Sequence, residues 1–311
     1  MTLSLLFFKQ KPSKIAVANN LMTEEQWTIL KLIQTTADFF SQKNIENPKL
    51  DAELLLAHIL GLRRIDLYMK YDLPLSQTEI SNYRKVVKRR SLREPLQYII
   101  GLQEFYSIPF FVSPDVLIPR SETEVLVERA IMRGKEMLLP PNILDLCTGS
   151  GIIAVVLERE LPNSKISASD ISGKAIDIAV KNARTISDDT KISFFEGDIF
   201  KALPDNMPLF NMVVSNPPYI SNKEYEQLQP EVSKYEPKIA LHGGESGMDI
   251  INNIIMNAHN YIVSGGVLML EMAPGQIDTA VNLLKSSKFW KDICCFKDYS
   301  SKIRFLEVFR I

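Results

Sequence analysis

The 311-residue sequence predicts an α/β fold, in which a small helical bundle precedes a parallel, doubly wound sheet that ends in an antiparallel hairpin. Three observations predict it. Short apolar runs alternate with helical patterns from Asn142 onward, whereas only helical periodicity occurs before Pro95. Near the C-terminus, two further apolar runs are joined by the turn-forming segment Asp298-Tyr299-Ser300-Ser301.

Helix signals dominate the first hundred residues. Thr23 and Gln26 have capping-box spacing before a run of apolar residues at helical intervals, which predicts a helix beginning near Thr23. Asn47-Pro48 supplies a cap and a first-turn proline for a second helix, and Gly61 ends it. A third helical pattern follows Ser76. We therefore expect a helical bundle that ends at Pro95.

The sheet is predicted from short apolar or β-branched runs separated by helical patterns. The five internal runs are 143–147, 166–169, 192–195, 210–215 and 267–271. Runs at 293–296 and 303–309 predict the terminal hairpin, which adds antiparallel strands at one edge. Between bundle and sheet, aromatic and β-branched residues alternate over Glu104 to Arg120, which predicts a short hairpin, and a helical pattern follows over 122–136.

Charge is distributed unevenly along the chain. The first hundred residues hold 15 Lys/Arg and 10 Asp/Glu, a net of +5, whereas the remainder holds 21 and 27, a net of −6. The whole chain carries a net charge of −1. This pattern favours a partner surface over broad electrostatic adhesion to nucleic acid.

The three cysteines indicate a reducing compartment, because they are too few and too close for a disulfide framework or a zinc site. We predict no metal. No stretch approaches the roughly 18 consecutive apolar residues of a membrane span, so we expect a cytoplasmic protein. Residues 1–22 are expected to be a flexible tail, although the early lysines and the lack of acidic residues before Glu24 leave an organellar address open.

A glycine loop follows the first predicted strand. Gly149 and Gly151, with Ala154 three residues later, fit a nucleotide-cofactor fingerprint between a strand and a helix. Asp170 ends the next strand, 21 residues after Gly149, where a carboxylate accepts hydrogen bonds from ribose hydroxyls. After the third strand, Asp198-Ile199 offers an acceptor for an adenine amine and an apolar face for its ring. The alternatives are a helix cap at Asp170 and a solvated turn at Asp198.

The segment Asn216-Pro217-Pro218-Tyr219 follows a buried strand, and its prolines mark the end of that strand. It places an amide, a backbone carbonyl and an aromatic face around one planar NH2 group. A dinucleotide enzyme and a methyltransferase both need the glycine loop and the ribose acid, and only this segment favours the methyltransferase. Catalysis would then consist mainly of positioning and electrostatics, without a metal or a covalent nucleophile.

Motifs along most of the chain resemble the protein-(glutamine-N5) methyltransferases that modify peptide chain release factors. The resemblance rests on Asp51–Gly61, Glu94–Phe105, Leu117–Glu128, Asp145–Gly151, Ser169–Ser172, Asn216–Ile220 and Glu236–Gly247. It implies a Rossmann-like class I methyltransferase sheet. It also implies a substrate-docking role for the helical domain 23–95, a hairpin linker over 96–120 and a methyltransferase domain over 121–311.

The resemblance also implies the site. S-adenosylmethionine would contact Cys147, Thr148, Gly149, Ser150, Gly151, Asp170, Ile171, Asp198, Ile199 and Asn216. The target glutamine would be held by Asn216, Pro217, Pro218, Tyr219, Arg120, Glu122 and Thr123, of which Asn216, Pro217 and Tyr219 are the catalytic set.

The implied reaction transfers a methyl group to the glutamine amide nitrogen of the Gly-Gly-Gln motif in a release factor. The enzyme is expected to act as a monomer, away from membranes and without direct need of nucleic acid. Two alternatives remain at this stage. One is a methyltransferase for exocyclic amines of nucleic acid, of the adenine type, and the other is a non-catalytic scaffold that binds the cofactor.

Overall fold

The structure, a computed structural model, describes residues 26–311, which form two compact units with a boundary between Ile100 and Gly101. The predicted tail over 1–22, with its open question of an organellar address, lies outside the described residues, as does Thr23. Within residues 26–311 every helix is too short or too polar to cross a membrane.

The first unit is helical. Its helices are α1 Ile29–Gln42, α2 Pro48–Leu60, α3 Arg64–Met69, α4 Gln77–Ser91 and α5 Leu96–Ile100. The predicted helices after Asn47 and Ser76 are confirmed, and Gly61 ends α2 with a left-handed φ of 63°. Fully buried apolar side chains from three helices form the core, including Phe40, Leu55 and Tyr83.

One expectation for this unit is corrected, and one lies outside the described residues. Within residues 26–311 the first helix begins at Ile29, and the Thr28 side chain caps it by accepting from the Lys31 amide at 3.3 Å; the predicted start near Thr23 lies outside that part of the chain. Pro95 does not end the helical unit, since its carbonyl accepts from the Ile99 amide at 3.2 Å as α5 begins. A proline is tolerated before the first helical turn, where its missing N–H has no intrahelical role.

The second unit contains a hairpin, a sheet and flanking helices. Its main elements are β1 Leu102–Phe105, β2 Ile108–Phe111, α6 Glu122–Glu136, β3 Asn142–Leu146, α7 Ile152–Glu160, β4 Lys165–Asp170, α8 Gly173–Ile186, β5 Ser193–Glu196, β6 Phe210–Ser215, α9 Asn222–Tyr225, α10 Pro230–Tyr235, α11 Asp249–Asn257, β7 Ile262–Glu271, α12 Ile277–Ser286, β8 Trp290–Lys297 and β9 Ile303–Arg310. Single 3₁₀ turns occur at Ile199–Ala202, Lys238–Ala240, Ala258–Asn260 and Pro274–Gln276. The hairpin formed by β1 and β2 is shorter than the stretch 104–120, and residues 112–120 continue from it as an irregular loop.

Seven strands form the sheet in the order β5-β4-β3-β6-β7-β9-β8. The first five are parallel, and β9 pairs antiparallel with both β7 and β8, so the predicted α/β class and terminal hairpin are confirmed. The central strands are buried on both faces, as their nearly continuous apolar runs require. Strand order reverses between β3 and β6, and ligands of open α/β sheets bind at the carboxyl ends of such strands.

Candidate active site

A cavity of about 450 Å³ opens at the carboxyl ends of β3, β4 and β6. This volume lies within the range of small-molecule sites, which is roughly 300–1,000 Å³. Twelve predicted site residues line it: Arg120, Thr123, Cys147, Thr148, Gly149, Ser150, Asp170, Ile171, Asp198, Ile199, Asn216 and Pro218. Four others, Glu122, Gly151, Pro217 and Tyr219, do not line it.

The glycine loop turns back between β3 and α7 through left-handed conformations. Cys147, Gly149 and Gly151 have φ values of 60°, 56° and 84°. A methyl group built on Gly149 would meet no atom within 4 Å, whereas one on Gly151 would lie 3.0 Å from the Ala179 Cβ. Gly149 therefore leaves open space for a ligand, and Gly151 permits close packing of the loop on α8.

Asp145 holds this loop from beneath. Its fully buried Oδ2 accepts hydrogen bonds from the Thr148 hydroxyl at 2.6 Å and from the Ala154 amide at 3.2 Å. Burial raises the pKa of Asp145 to about 7, and the two hydrogen bonds oppose that shift. No role was predicted for Asp145, although its position in the strand just before a glycine loop is a usable signal.

Asp170 connects the glycine loop to the end of β4. Its Oδ2 accepts from the Gly149 amide at 2.9 Å, and its Oδ1 accepts from the Ser172 amide at 3.0 Å. Burial raises the pKa of the Asp170 carboxyl, and the backbone hydrogen bonds oppose that rise. Each carboxylate oxygen has capacity for a further hydrogen bond on the cavity side.

The same part of the cavity meets the needs of an adenosyl ligand. The Ser169 hydroxyl lines the cavity and is buried without a hydrogen-bond partner among residues 26–311. Ile171 exposes 53% of its surface beside it, and Ile199 adds a second apolar wall. Asp198 lies at the rim, where Lys201 Nζ pairs with its carboxylate at 3.0 Å. A ribose with its hydroxyls and a flat apolar ring fits this combination of acceptors and aliphatic faces.

The end of β6 carries a chain of hydrogen bonds. Asn216 Nδ2 donates to Thr123 Oγ1 at 3.0 Å, and the Thr123 hydroxyl donates to Glu271 Oε2 at 2.8 Å. The Tyr219 hydroxyl donates to the other Glu271 oxygen at 3.4 Å. Burial raises the pKa of Glu271 to about 7 and raises that of the Tyr219 phenol as well. Tyr219 thus lies behind the cavity wall, in contact with a carboxylate that the sequence did not single out.

A second missed carboxylate, Glu236, organises the loop that follows the hairpin. It is buried and accepts from the Ile118 amide at 3.1 Å and from Arg120 Nη2 at 2.5 Å. The loop residues Asp115, Val116, Leu117 and Pro119 line the cavity, as do Lys238, Ile239, Ala240 and His242. For all of these except Asp115 and Val116, the only signal was membership in the quoted motifs, since neither segment has a regular period.

The glycine-rich segment after Glu236 supports the Asn-Pro-Pro-Tyr turn. Ile220 donates its amide to the Leu241 carbonyl at 2.8 Å and accepts from the Gly243 amide at 2.9 Å. A Cβ on Gly243 would lie 2.6 Å from the Pro218 carbonyl oxygen, so no side chain fits there. The backbone of the turn is therefore fixed from both sides, which positions Asn216 at the strand end.

Comparison with known proteins agrees with this geometry. Residues 31–101 match the family described as PrmC N-terminal domain, and residues 122–232 match the family described as methyltransferase small domain. The sheet, the glycine loop and the family match together define an S-adenosylmethionine-dependent methyltransferase.

Relatives named release factor glutamine methyltransferase align along most of this chain. The protein of Geobacter sulfurreducens is 42% identical over 270 residues, covering 86% of this chain and 93% of its own length. That of Rhodopirellula baltica is 37% identical over 286 residues, covering 91% and 96% respectively. That of Chlorobaculum tepidum is 39% identical over 283 residues, covering 89% and 95%. The chain belongs to the release factor glutamine methyltransferase family, which confirms the resemblance drawn from its motifs.

Proposed function

We propose that the protein transfers a methyl group from S-adenosylmethionine to the side-chain amide nitrogen of the Gly-Gly-Gln glutamine in a peptide chain release factor. Membership of the family supports the substrate class. The observation that carries the chemistry is the orientation of Asn216, whose NH2 is engaged by Thr123 at 3.0 Å. Its Oδ1 is thereby left to accept a hydrogen bond from a substrate NH2.

The cofactor end of the cavity fits its proposed residues. Cys147 to Gly151 supply backbone close to the ligand, Asp170 accepts from ribose hydroxyls, and Asp198 with Ile199 receives the adenine. Burial raises the pKa of the Cys147 thiol, which keeps it neutral beside a cationic ligand. When bound, S-adenosylmethionine supplies an electrophilic methyl group on a sulfonium sulfur.

The substrate end is built for a neutral amide. Asn216 and the Pro217 carbonyl accept the two amide hydrogens and direct the nitrogen lone pair toward the methyl group. Pro218, Arg120 and Thr123 line the cavity there, whereas Tyr219 supports the wall from behind and Glu122 lies beside Thr123 in the chain. The glutamine nitrogen gains the methyl carbon, the pair of the broken S–C bond stays on sulfur, and one amide proton leaves to solvent. The chain contributes positioning and electrostatics.

A nucleic-acid amine methyltransferase uses similar groups around the target NH2, and charge argues against it here. Residues 101–311 hold 21 Lys/Arg and 27 Asp/Glu, a net of −6, which disfavours a polyanion at the cavity. A non-catalytic scaffold is disfavoured because twelve of the sixteen proposed site residues line one cavity.

The helical domain, predicted over 23–95 and extended to Ile100 by α5, is proposed to dock the release factor, and the rest of the predicted linker 96–120 to join it to the methyltransferase domain 121–311. We further propose that the enzyme acts as a monomer in the cytoplasm, where release factors work, with no membrane or nucleic acid required. Size-exclusion chromatography with light scattering tests the monomer, for which a mass of 35.3 kDa is expected.

The decisive experiment incubates the full chain with methyl-labelled cofactor and a purified release factor, and then maps the label by mass spectrometry. Label on the glutamine of the Gly-Gly-Gln motif, lost when that glutamine is changed to Ala, is the expected result. Undiminished label after that change contradicts the proposal. Asn216→Ala is the enzyme control, and it should lose label while retaining most of its cofactor binding. Equal labelling of naked DNA or RNA would favour the nucleic-acid alternative.

A further inference from the structure

We infer that Glu271 decides which atom of Asn216 faces the substrate, acting through the hydroxyl of Thr123. Glu271 ends β7 and does not line the cavity, so it is a positioning residue and not a catalytic one. The inference rests on the proposed function for its effect on rate. The arrangement of the three side chains is a property of the protein alone.

The single proton of the Thr123 hydroxyl fixes the direction of both hydrogen bonds. A threonine hydroxyl has one proton to donate, and this one goes to Glu271 Oε2 at 2.8 Å. Thr123 therefore meets Asn216 only as an acceptor, and the group at 3.0 Å from its oxygen is the Asn216 NH2. The amide oxygen of Asn216 must then point the other way. Glu271, acting through Thr123, thus orients Asn216 so that its amide oxygen can accept a hydrogen bond from a substrate N–H.

Loss of the Glu271 carboxylate removes this constraint on the orientation of the Asn216 amide. When Glu271 no longer accepts its proton, the Thr123 hydroxyl can donate to the Asn216 oxygen. The NH2 group of Asn216 then turns toward the substrate. Two NH2 groups then face each other, with no acceptor between them. The glutamine nitrogen loses its alignment with the methyl group, and the rate falls while cofactor binding is kept.

The surroundings of Glu271 keep its carboxylate in place. Glu271 is buried, and its backbone pairs with Phe305 of β9. The groups that act on its charge are Thr123, Tyr219, Arg304 and Glu122. Arg304 favours the ionised form but is itself bonded to Asp298 at 2.7 Å. The pKa of Glu271 is raised to about 7 by burial, so a fall in pH below that value protonates the acceptor.

Isosteric variants at Thr123 give the first test. Thr123→Val keeps the shape and removes both hydrogen bonds, so kcat should fall by about 10- to 100-fold, since small errors of alignment have effects of that order. Thr123→Ser restores the hydroxyl and should recover most of that loss. The affinity for S-adenosylmethionine, measured by calorimetry, should change less than about threefold in both variants. Thr185→Val, on the exposed face of α8, is the matched control and should behave as wild type.

The pH dependence gives a second test. In the wild type, kcat should show an acid limb near pH 7, falling as pH is lowered. Glu271→Gln, which carries no proton that titrates there, should lack that limb. The melting temperature of each variant separates these effects from loss of folding.

A third measurement needs no release factor. Protein labelled with ¹⁵N-asparagine gives a side-chain NH2 signal for Asn216, identified by its loss in Asn216→Asp. This signal should move with the titration of Glu271 and shift in Thr123→Val, but stay near its wild-type position in Thr123→Ser and Thr185→Val. A signal unmoved by Thr123→Val, or an acid limb that persists in Glu271→Gln, overturns the inference. A wild-type enzyme that labels no glutamine overturns the proposed function instead. The NMR result then still tests whether Glu271 orients Asn216 through Thr123.

Discussion

The backbone amide of Gly149 donates to Asp170 Oδ2 at 2.9 Å, which joins the loop after β3 to the end of β4. The two residues lie 21 positions apart in the chain, and one hydrogen bond fixes both the loop and the carboxylate. Asp170 therefore holds the loop, and we propose that it also accepts from the ribose.

Asp170→Ala should weaken S-adenosylmethionine binding by roughly 10- to 100-fold, because hydrogen bonds to a charged group contribute about 1.5–3 kcal/mol. Isothermal titration calorimetry measures the effect. Asp177→Ala, an exposed position on α8, is the matched control and should leave the affinity unchanged. Equal affinities for wild type and Asp170→Ala would show that the carboxylate does not contact the cofactor.

Alanine at the two loop glycines should have different consequences. At Gly149 the new methyl group meets no protein atom within 4 Å, so cofactor affinity should fall more than stability does. At Gly151 the methyl group lies 3.0 Å from Ala179 Cβ and 3.1 Å from its Cα, so the melting temperature should fall more than in Gly149→Ala. Both carry the strain of a left-handed residue, about 1–2 kcal/mol, which cancels in the comparison. Thermal denaturation with and without cofactor separates the two, and equal melting temperatures contradict the assignment.

Glu236→Ala should destabilise the fold and impair the site together. The change leaves the buried Ile118 amide without its 3.1 Å acceptor and releases Arg120. An unsatisfied buried donor costs about 1–3 kcal/mol of the free energy of unfolding, so a loss of that size is expected in urea denaturation. KM for the release factor should rise as well, because the loop at Arg120 borders the cavity. Glu226→Ala, at an exposed position, serves as the control and should change neither quantity.

Local patterns predicted the architecture well. The spacing between Gly149 and Asp170 and the Asn-Pro-Pro-Tyr segment that ends β6 are both visible in short stretches of sequence. In the structure Gly149, Asp170 and Asn216 line one cavity. Periodicity also located the internal strands to within a few residues. The largest difference is β7, which begins at Ile262 before the apolar run at 267–271. Its added residues include Gly265, whose φ of 77° breaks the strand pattern.

The missed residues are those whose partners lie far along the chain. Glu271 meets Thr123 across 148 positions, and Glu236 meets Arg120 across 116. Neither contact leaves a periodic or spacing signal, because both arise only when the folded chain brings distant segments together.

The buried carboxyl of Asp145 predicts a dependence of stability on pH. Its pKa is raised from 3.8 to about 7 by burial, so the folded protein holds a proton that the unfolded chain releases above about pH 4. Stability from this group is fully present below the unfolded pKa and is lost as pH rises toward 7. The free energy of unfolding of wild type, relative to Asp145→Asn, should therefore decrease between about pH 4 and pH 7 and stay constant above.

Urea denaturation of both proteins at steps of half a pH unit measures that difference, and subtraction removes the titration of all other groups. The asparagine oxygen still accepts from Thr148 and Ala154, so the loop is retained in the variant. A difference that rises with pH over this interval would mean that Asp145 is ionised in the folded protein. In that case its hydrogen bonds to Thr148 and Ala154 outweigh the effect of burial on its charge.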